Sequence, residues 1–309
     1  MKHDIYAVPP EKYPLSLGKS IYKPKVLYAM GQLPPSSTEG NNRTEAPTNA
    51  GNPVGIAMVG TRRPGNNAQE LCRKLVESLR GTRAVVVSGL AQGIDSLCHE
   101  AALDAGIPTV AVLAQGLSTH IEGSRGILAR RILEAGGALV SQFEPDEVAY
   151  KGNFPARNKI ISGMSVATII VQSKAKGGAL LTGEFTRKEG KPLYAIPGDF
   201  DSEVASGPND LLDKELAKPV FRPKSLREVL GLPREGGQSI TAIESAGCTL
   251  GSDALQVFKR VNGFRKTFDE LQAEFPFGAN QLLTILTELE IAGLAHTDDN
   301  YLFHFNGSA

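Results

Sequence analysis

The sequence predicts an α/β protein: an extended Rossmann-like fold with a mostly parallel sheet, plus a small C-terminal winged-helix domain. Three observations lead there. Between residues 54 and 230, six short apolar runs alternate with helix-length amphipathic segments. A polar stretch rich in Pro, Gly, Ser and Asn stands on either side of that ladder. Beyond the second stretch, three amphipathic helices and two short strands close the chain. At roughly 150 residues per domain, 309 residues suit two domains.

In chain order, residues 1–53 read as a leader whose second half, 31–53, offers almost nothing to bury and is therefore an exposed loop. Strands follow at 55–59, 84–87, 109–113, 138–140, 167–171 and 193–196. Each is nearly continuous in apolar residues, as a strand covered on both faces must be. The ladder defines a Rossmann-like domain over 54–230, and residues 231–252 form a linker. Over 253–309, helices are expected at 253–261, 267–275 and 279–293, with a hairpin at 294–296 and 301–305.

Composition narrows the function. With 41% hydrophobic and 21% charged residues, the chain is an ordinary folded one. No apolar run approaches the eighteen or so residues of a membrane span, and the start Met1-Lys2-His3-Asp4 lacks a secretory pattern, so a cytoplasmic protein without a membrane partner is expected. Cys72, Cys98 and Cys248 are scattered and odd in number, which points to reduced thiols rather than a disulfide framework or zinc site. Net charge is zero, yet residues 54–198 hold 17 basic and 12 acidic residues, while 250–309 hold 4 and 8. A polyanion is therefore expected on the central segment, because clustered Lys and Arg release condensed counterions whereas an acidic module repels phosphate.

Three stretches carry the chemistry. Gly60-Thr61-Arg62-Arg63 follows the first strand of the ladder, at the sheet edge where open α/β folds bind ligands. Ser88-Gly89-Leu-Ala-Gln-Gly93-Ile-Asp95 is a second Gly-rich turn into a helix whose amides could hold an anion; equally, its glycines could only permit tight turns. Lys151-Gly-Asn-Phe154-Pro-Ala-Arg157-Asn158-Lys159 packs cations, an aromatic ring and an amide together, as unstacked bases and their phosphates require. The plain alternative makes Phe154 a core residue and the cations a solvated helix face. Lys176-Gly177-Gly178 opens a further flexible turn, and Pro197-Gly198 closes the last strand.

In order and spacing, these blocks resemble the DNA-processing protein A family, also called DprA or Smf: a G-[ST]-R turn at 60–62, S-G-L-A-x-G-I-D at 88–95, F-P-x-R-N-x-I-I-S-G at 154–163, a G-[SG]-[AS]-L-[IL]-T turn at 177–182 and P-G at 197–198. The resemblance covers most of the chain. It implies a protein that is not an enzyme and needs no cofactor: a homodimer that binds single-stranded DNA and helps load a RecA-type recombinase, notably in natural transformation. It also implies that Arg62 contacts phosphate on a turn shaped by Gly60 and Thr61, that Lys151 binds phosphate at the pocket rim, and that Phe154 stacks a base. Arg157 and Asn158 line the same pocket, with Asn158 either a base contact or a cap of the following helix. The remaining expected DNA contacts are Arg63, Ser88, Gly89, Gly93, Lys159, Lys176, Gly177 and Gly178. The chain departs from the family in having Gln92 where Arg is common, Ala114-Gln-Gly-Leu-Ser-Thr-His-Ile121 in place of C-G-L-D-x-x-Y-P, no counterpart of the N-terminal helical domain, and the 31–53 insertion.

Catalytic patterns are sparse. The five histidines show no metal-ligand spacing, Ser88 and Ser162 lack a nucleophile elbow, and Cys72 and Cys98 fall on helix faces as small buried hydrophobes. Two competing readings stay open. One is a sensor that binds a small nucleotide without chemistry. The other is a nucleotide phosphoribohydrolase, whose P-G-G-x-G-T-x-x-E loop would correspond to Lys176–Glu184, although Leu180 and Leu181 stand where a phosphate-hugging glycine belongs.

Overall fold

The computed structural model describes residues 4–35, 52–232, 251–261, 265–292, 294–297 and 302–305. Two compact units divide the chain, Met1–Leu232 and Pro233–Ala309. Most of the expected insertion and of the expected linker, 36–51 and 233–250, lies outside the described residues, as does Cys248.

The first unit is a nine-stranded sheet. Its strands are β1 (Tyr6–Val8), β2 (Leu27–Gly31), β3 (Val54–Val59), β4 (Ala84–Ser88), β5 (Thr109–Val112), β6 (Ala138–Ser141), β7 (Ala167–Ile170), β8 (Leu193–Ala195) and β9 (Lys218–Pro219), in the spatial order β1-β2-β6-β5-β4-β3-β7-β8-β9. From β6 to β9 all neighbours are parallel, whereas β2 joins β6 antiparallel and β1 joins β2 antiparallel. The helices are α1 (Ala68–Glu77), α2 (Ile94–Ala105), α3 (Gly123–Glu134), α4 (Asn153–Met164), α5 (Ala179–Lys188), α6 (Ser206–Asp213) and α7 (Leu226–Val229).

The pleat explains why the strands tolerate apolar residues at every position. Along β3, Ile56 and Met58 face a core shared with α1 and α2, while Ala57 and Val59 face a second core shared with α4. A nearly continuous apolar run is what burial on both faces demands.

The leader belongs to this unit rather than preceding it. Tyr13, Leu15 and Leu17 are fully buried against Ile160, Ile161 and Met164 of α4. Each such side chain contributes roughly 1.5–3 kcal/mol on burial, so the three together approach the ~5–15 kcal/mol that holds a whole domain folded. The expected domain start at 54 is thus too late: β1 and β2 extend the sheet at one edge, and the Ser20 hydroxyl donates to Glu189, which also accepts from Ser162 and Lys191 at 3.0 Å each.

The second unit contains α8 (Ser252–Val261), α9 (Phe268–Glu274), α10 (Ala279–Ile291) and the strands β10 (Arg265–Thr267), β11 (Ala295–Thr297) and β12 (Leu302–Phe305) in the order β10-β12-β11, both pairs antiparallel. Three helices are present as expected, but the expected two-stranded hairpin gains a third strand from the segment between the first two expected helices, taking Thr267 from the start of the second. Thr267 ends that strand and caps α9, its hydroxyl accepting from the Glu270 amide at 3.2 Å while the Glu270 carboxylate accepts from the Thr267 amide at 2.8 Å. Val257, Phe258, Leu271, Leu282, Leu286 and Leu289 form the core. Among the described residues no helix is long and apolar enough to cross a membrane.

Leu232 is buried in the core beside α1 and its amide donates to Arg227 at 3.1 Å. A chain ending after Leu232 should therefore melt cooperatively as a folded first unit, whereas one ending after Leu230 should melt lower; equal melting temperatures would contradict this packing.

Candidate functional site

The chain leaves β3 for β4 on one side and later returns to β7 on the other, so β3 marks the topological switch point. Ligands of open α/β sheets bind outside the carboxyl ends of the strands there. The turn after β3 is held from two directions: the Thr61 amide donates to the Gln172 carbonyl at 2.7 Å, and the Ile94 amide donates to the Thr61 carbonyl at 3.1 Å. Gly93, with φ +89°, lies so close to the Thr61 carbonyl that a side chain there would overlap it.

Behind the turns sits one buried pair. Asp95, in the first turn of α2, accepts from the amide of Gly89 at 3.1 Å and also gathers those of Gly60 and Ala91. Arg157, from α4, donates through Nη1 to the carbonyls of Gly89 and, at 2.9 Å, Val112. Both residues are 5% exposed. Burial pushes the Asp95 carboxyl upward, against the pull of Arg157 and the three amides, and burial pushes the Arg157 guanidinium downward against the attraction of Asp95. A Cβ on Gly89 would overlap the Arg157 guanidinium, which is why this position is glycine.

In front of the pair, the Arg62 guanidinium lies 4.8 Å from the centre of the half-buried Phe154 ring. This stack stands between two cavities. The larger, 570 Å³, is lined by Gly60, Thr61, Arg62, Asp95, Lys151, Phe154, Arg157, Asn158, Lys174, Lys176, Gly177 and Gly178, together with Leu181 and others. The smaller, 310 Å³, shares Arg62, Ala91, Phe154 and Arg157 and adds Gly89, Leu90, Gln92, Leu113, Gln115, Ile121 and Arg125 among others. Lys174 is neutralised by Glu203 at 2.5 Å, but Lys151 and Lys176 make no ion pair with any described residue. The site is cationic, partly apolar, and holds a single carboxylate, Asp95, already engaged.

Ten of the expected contact residues therefore line the larger cavity and Gly89 the smaller. Four line neither. Ser88 is wholly buried and donates to the Met58 carbonyl at 2.6 Å, stitching β4 to β3; it faces the core because the strand pleat turns it inward. Lys159 points along another face of α4, its Nζ 5.7 Å from the Tyr22 ring and 5.6 Å from that of Phe185. Gly93 is a turn residue beneath Thr61, and Arg63 is exposed beside the cavities. The capping alternative for Asn158 also fails, since the residue lies inside α4 and its amide donates to the Gly178 carbonyl at 3.4 Å. Arg125 and Lys174 escaped the sequence reading because neither adjoins a recognisable motif.

His99, one turn beyond Asp95 on α2, is fully buried. Thr109 spends its hydroxyl hydrogen on the Val86 carbonyl at 2.9 Å, so it accepts from His99 Nδ1 at 2.7 Å and fixes that tautomer. Cys72 and Cys98 are buried as expected, their sulfurs 3.6 Å apart between α1 and α2. Among the described residues no cluster could hold a metal ion.

Comparison with known proteins fits this geometry. The sequence model of the DNA recombination-mediator protein A family matches residues 5–231. The chain belongs to that family. Within it, the chain is 36% identical over 175 residues to Protein Smf of Escherichia coli, a match covering 57% of this chain but only 46% of that protein. It is 33% identical over 221 residues to DNA processing protein DprA of Bacillus subtilis, covering 71% of this chain and 69% of that protein. Among solved structures, the DprA of Streptococcus pneumoniae superposes with a TM-score of 0.61 at 28% identity, over 74% of each chain. The DNA processing protein A of Helicobacter pylori, solved to describe its single-stranded DNA binding mode, superposes with a TM-score of 0.60 at 26% identity, over 74% of this family member and 96% of that chain.

Burial and the nearby Arg157 cation hold the His99 imidazole down at about 3, so the folded state resists a proton that the unfolded chain accepts near its ordinary 6.5. The stability His99 contributes is present above that ordinary value and lost as pH falls from it toward about 3. His99→Asn keeps a donor near Nδ1 and cannot titrate. Its stability deficit relative to the parent, measured by urea unfolding, should shrink by about 2 kcal/mol between pH 7 and pH 5; an unchanged deficit would mean that the imidazole titrates normally.

Proposed function

We propose that this family member is a single-stranded DNA-binding recombination mediator, a homodimer without enzymatic activity that passes its strand to a RecA-type recombinase during DNA uptake or processing. The observation that carries the reading is the Arg62–Phe154 stack between two cationic cavities. An aromatic face can stack only on a base that is already unpaired, while Lys151 and Lys176 meet the backbone phosphates.

Magnitudes decide how the stack is used. The Arg62–Phe154 contact is worth ~0.5–2 kcal/mol, and stacking a base on the same ring ~1–3 kcal/mol. A base that displaces Arg62 therefore gains little from the exchange itself. The gain comes from the freed guanidinium, which can pair with a phosphate. The membership of the family and the strand binding described for the Helicobacter pylori protein support the same reading. The recombinase partner and the dimer are carried over from the family resemblance, and the cytoplasmic setting from the sequence pattern.

The enzymatic alternative needs a free carboxylate at the cavity. Asp95 is committed to three amides and Arg157, and Glu184 is exposed on α5 and lines neither cavity. On incubation with nucleoside monophosphates, no free base should appear; release that Glu184→Gln abolishes would establish the phosphoribohydrolase instead.

Mobility-shift titrations should show tighter binding to single-stranded than to duplex DNA at matched salt, and equal affinities would refute the proposal. Arg62→Ala and Lys151→Ala should each flatten the logarithmic salt slope by about 0.7. Phe154→Ala should cost ~1–3 kcal/mol of affinity with little change in slope. If Phe154→Ala instead unfolds the protein, that ring is a core residue.

A further inference from the structure

The smaller cavity is not accounted for by the motifs. It shares one wall with the larger, but its far side is built by the loop from β5 to α3 and by α3 itself. Apolar walls come from Leu90, Leu113 and Ile121, and no lining residue is acidic. At 310 Å³ it lies at the small end of the ~300–1,000 Å³ typical of small-molecule sites, enough for one nucleotide unit but not for a duplex.

Its charge is unbalanced. Arg131, further along α3, is paired with Asp104 at 3.3 Å, but Arg125 and Arg62 make no ion pair with any described residue. Arg157 is buried, and its Nε has no hydrogen-bond partner. Arg62 and Arg125 both push the Arg157 guanidinium toward losing its proton, after the larger effect of burial. Three guanidiniums around a cavity without a carboxylate repel one another at a cost in free energy, and a phosphate between them would reverse the sign of that interaction.

We propose that this cavity is a phosphoryl site in which Arg125 is the principal ligand, filled by the phosphate next along the strand from the base at Phe154. It rests on the single-strand reading above and extends it. Each protomer then holds two successive nucleotide units, one on either side of the Arg62–Phe154 stack. Nothing in the motifs points to Arg125.

The test compares two removals of one positive charge from α3 in the full chain. Arg125→Ala and Arg125→Gln should weaken binding of an oligothymidylate about tenfold at low salt and flatten the salt slope by about 0.7. Arg130→Ala, which removes an exposed charge that lines neither cavity, should leave both nearly unchanged. Thermal melting of each variant checks the fold, and Arg125→Gln keeps the aliphatic stem should the alanine disturb packing. Thymidine 5′-monophosphate is the second probe: competition that Arg125→Ala abolishes means that the site also takes a free nucleotide, and no competition means that it is reached only by a strand. Equal effects of Arg125→Ala and Arg130→Ala would overturn the proposal by reducing Arg125 to diffuse charge. If Lys151→Ala and Phe154→Ala retain full affinity as well, the single-strand reading fails; if they lose affinity while Arg125→Ala does not, only the second site fails.

Discussion

The turns at the ligand edge of the sheet depend on two buried charged side chains, Asp95 and Arg157, which hold Gly89 through its amide and its carbonyl. An isolated charge in that position would be prohibitively costly, and the two are tolerated because each offsets the other's charge while backbone groups bond the Asp95 carboxylate and the Arg157 Nη1. Those groups belong to the turns after β3 and β4 and to the last residue of β5. A carboxylate and a guanidinium therefore set the relative positions of two loops, one strand end and one helix. Such a pair is weak support for stability, since an apolar replacement of equal volume often does as well. What the two side chains supply is placement: the turns that carry Arg62 and Gly89 and the helix that carries Phe154 meet around them.

The cationic character of the site follows from that arrangement. Asp95 faces inward and is consumed, so the surface presented to solvent keeps the lysines and arginines and almost none of the acid. The zero net charge of the chain conceals this, because compensating carboxylates sit on α1, on the segment around α6 and in the second unit. Long-range steering depends on where charge lies, not on its sum.

The parallel core was legible because strands buried on both faces must be apolar throughout, and all six runs became strands. The leader was not, since β1 and β2 are short and β2 pairs with a strand more than a hundred residues away; nothing local marks such a partner. At the site, Arg62, Lys151 and Phe154 were readable from residue type beside a turn. Ser88 was misread because adjacency to a Gly-rich turn does not reveal which side of the pleat a residue takes. Lys159 lies off both cavities because a helix sends successive residues to different faces. Asp95 was noticed as a carboxylate, but its role as the anchor of three amides is a property of distances.

The antiparallel seam between β2 and β6 also orders events during synthesis. Tyr28 pairs with Ser141, and the buried Tyr13, Leu15 and Leu17 need α4, which ends at Met164. At ~5–20 residues per second, the leader emerges from the ribosome roughly 5–30 s before its seat exists. Until then its apolar side chains remain open to chaperones and to other nascent chains. The sheet is closed at one edge by a segment whose partners are made more than a hundred residues after it.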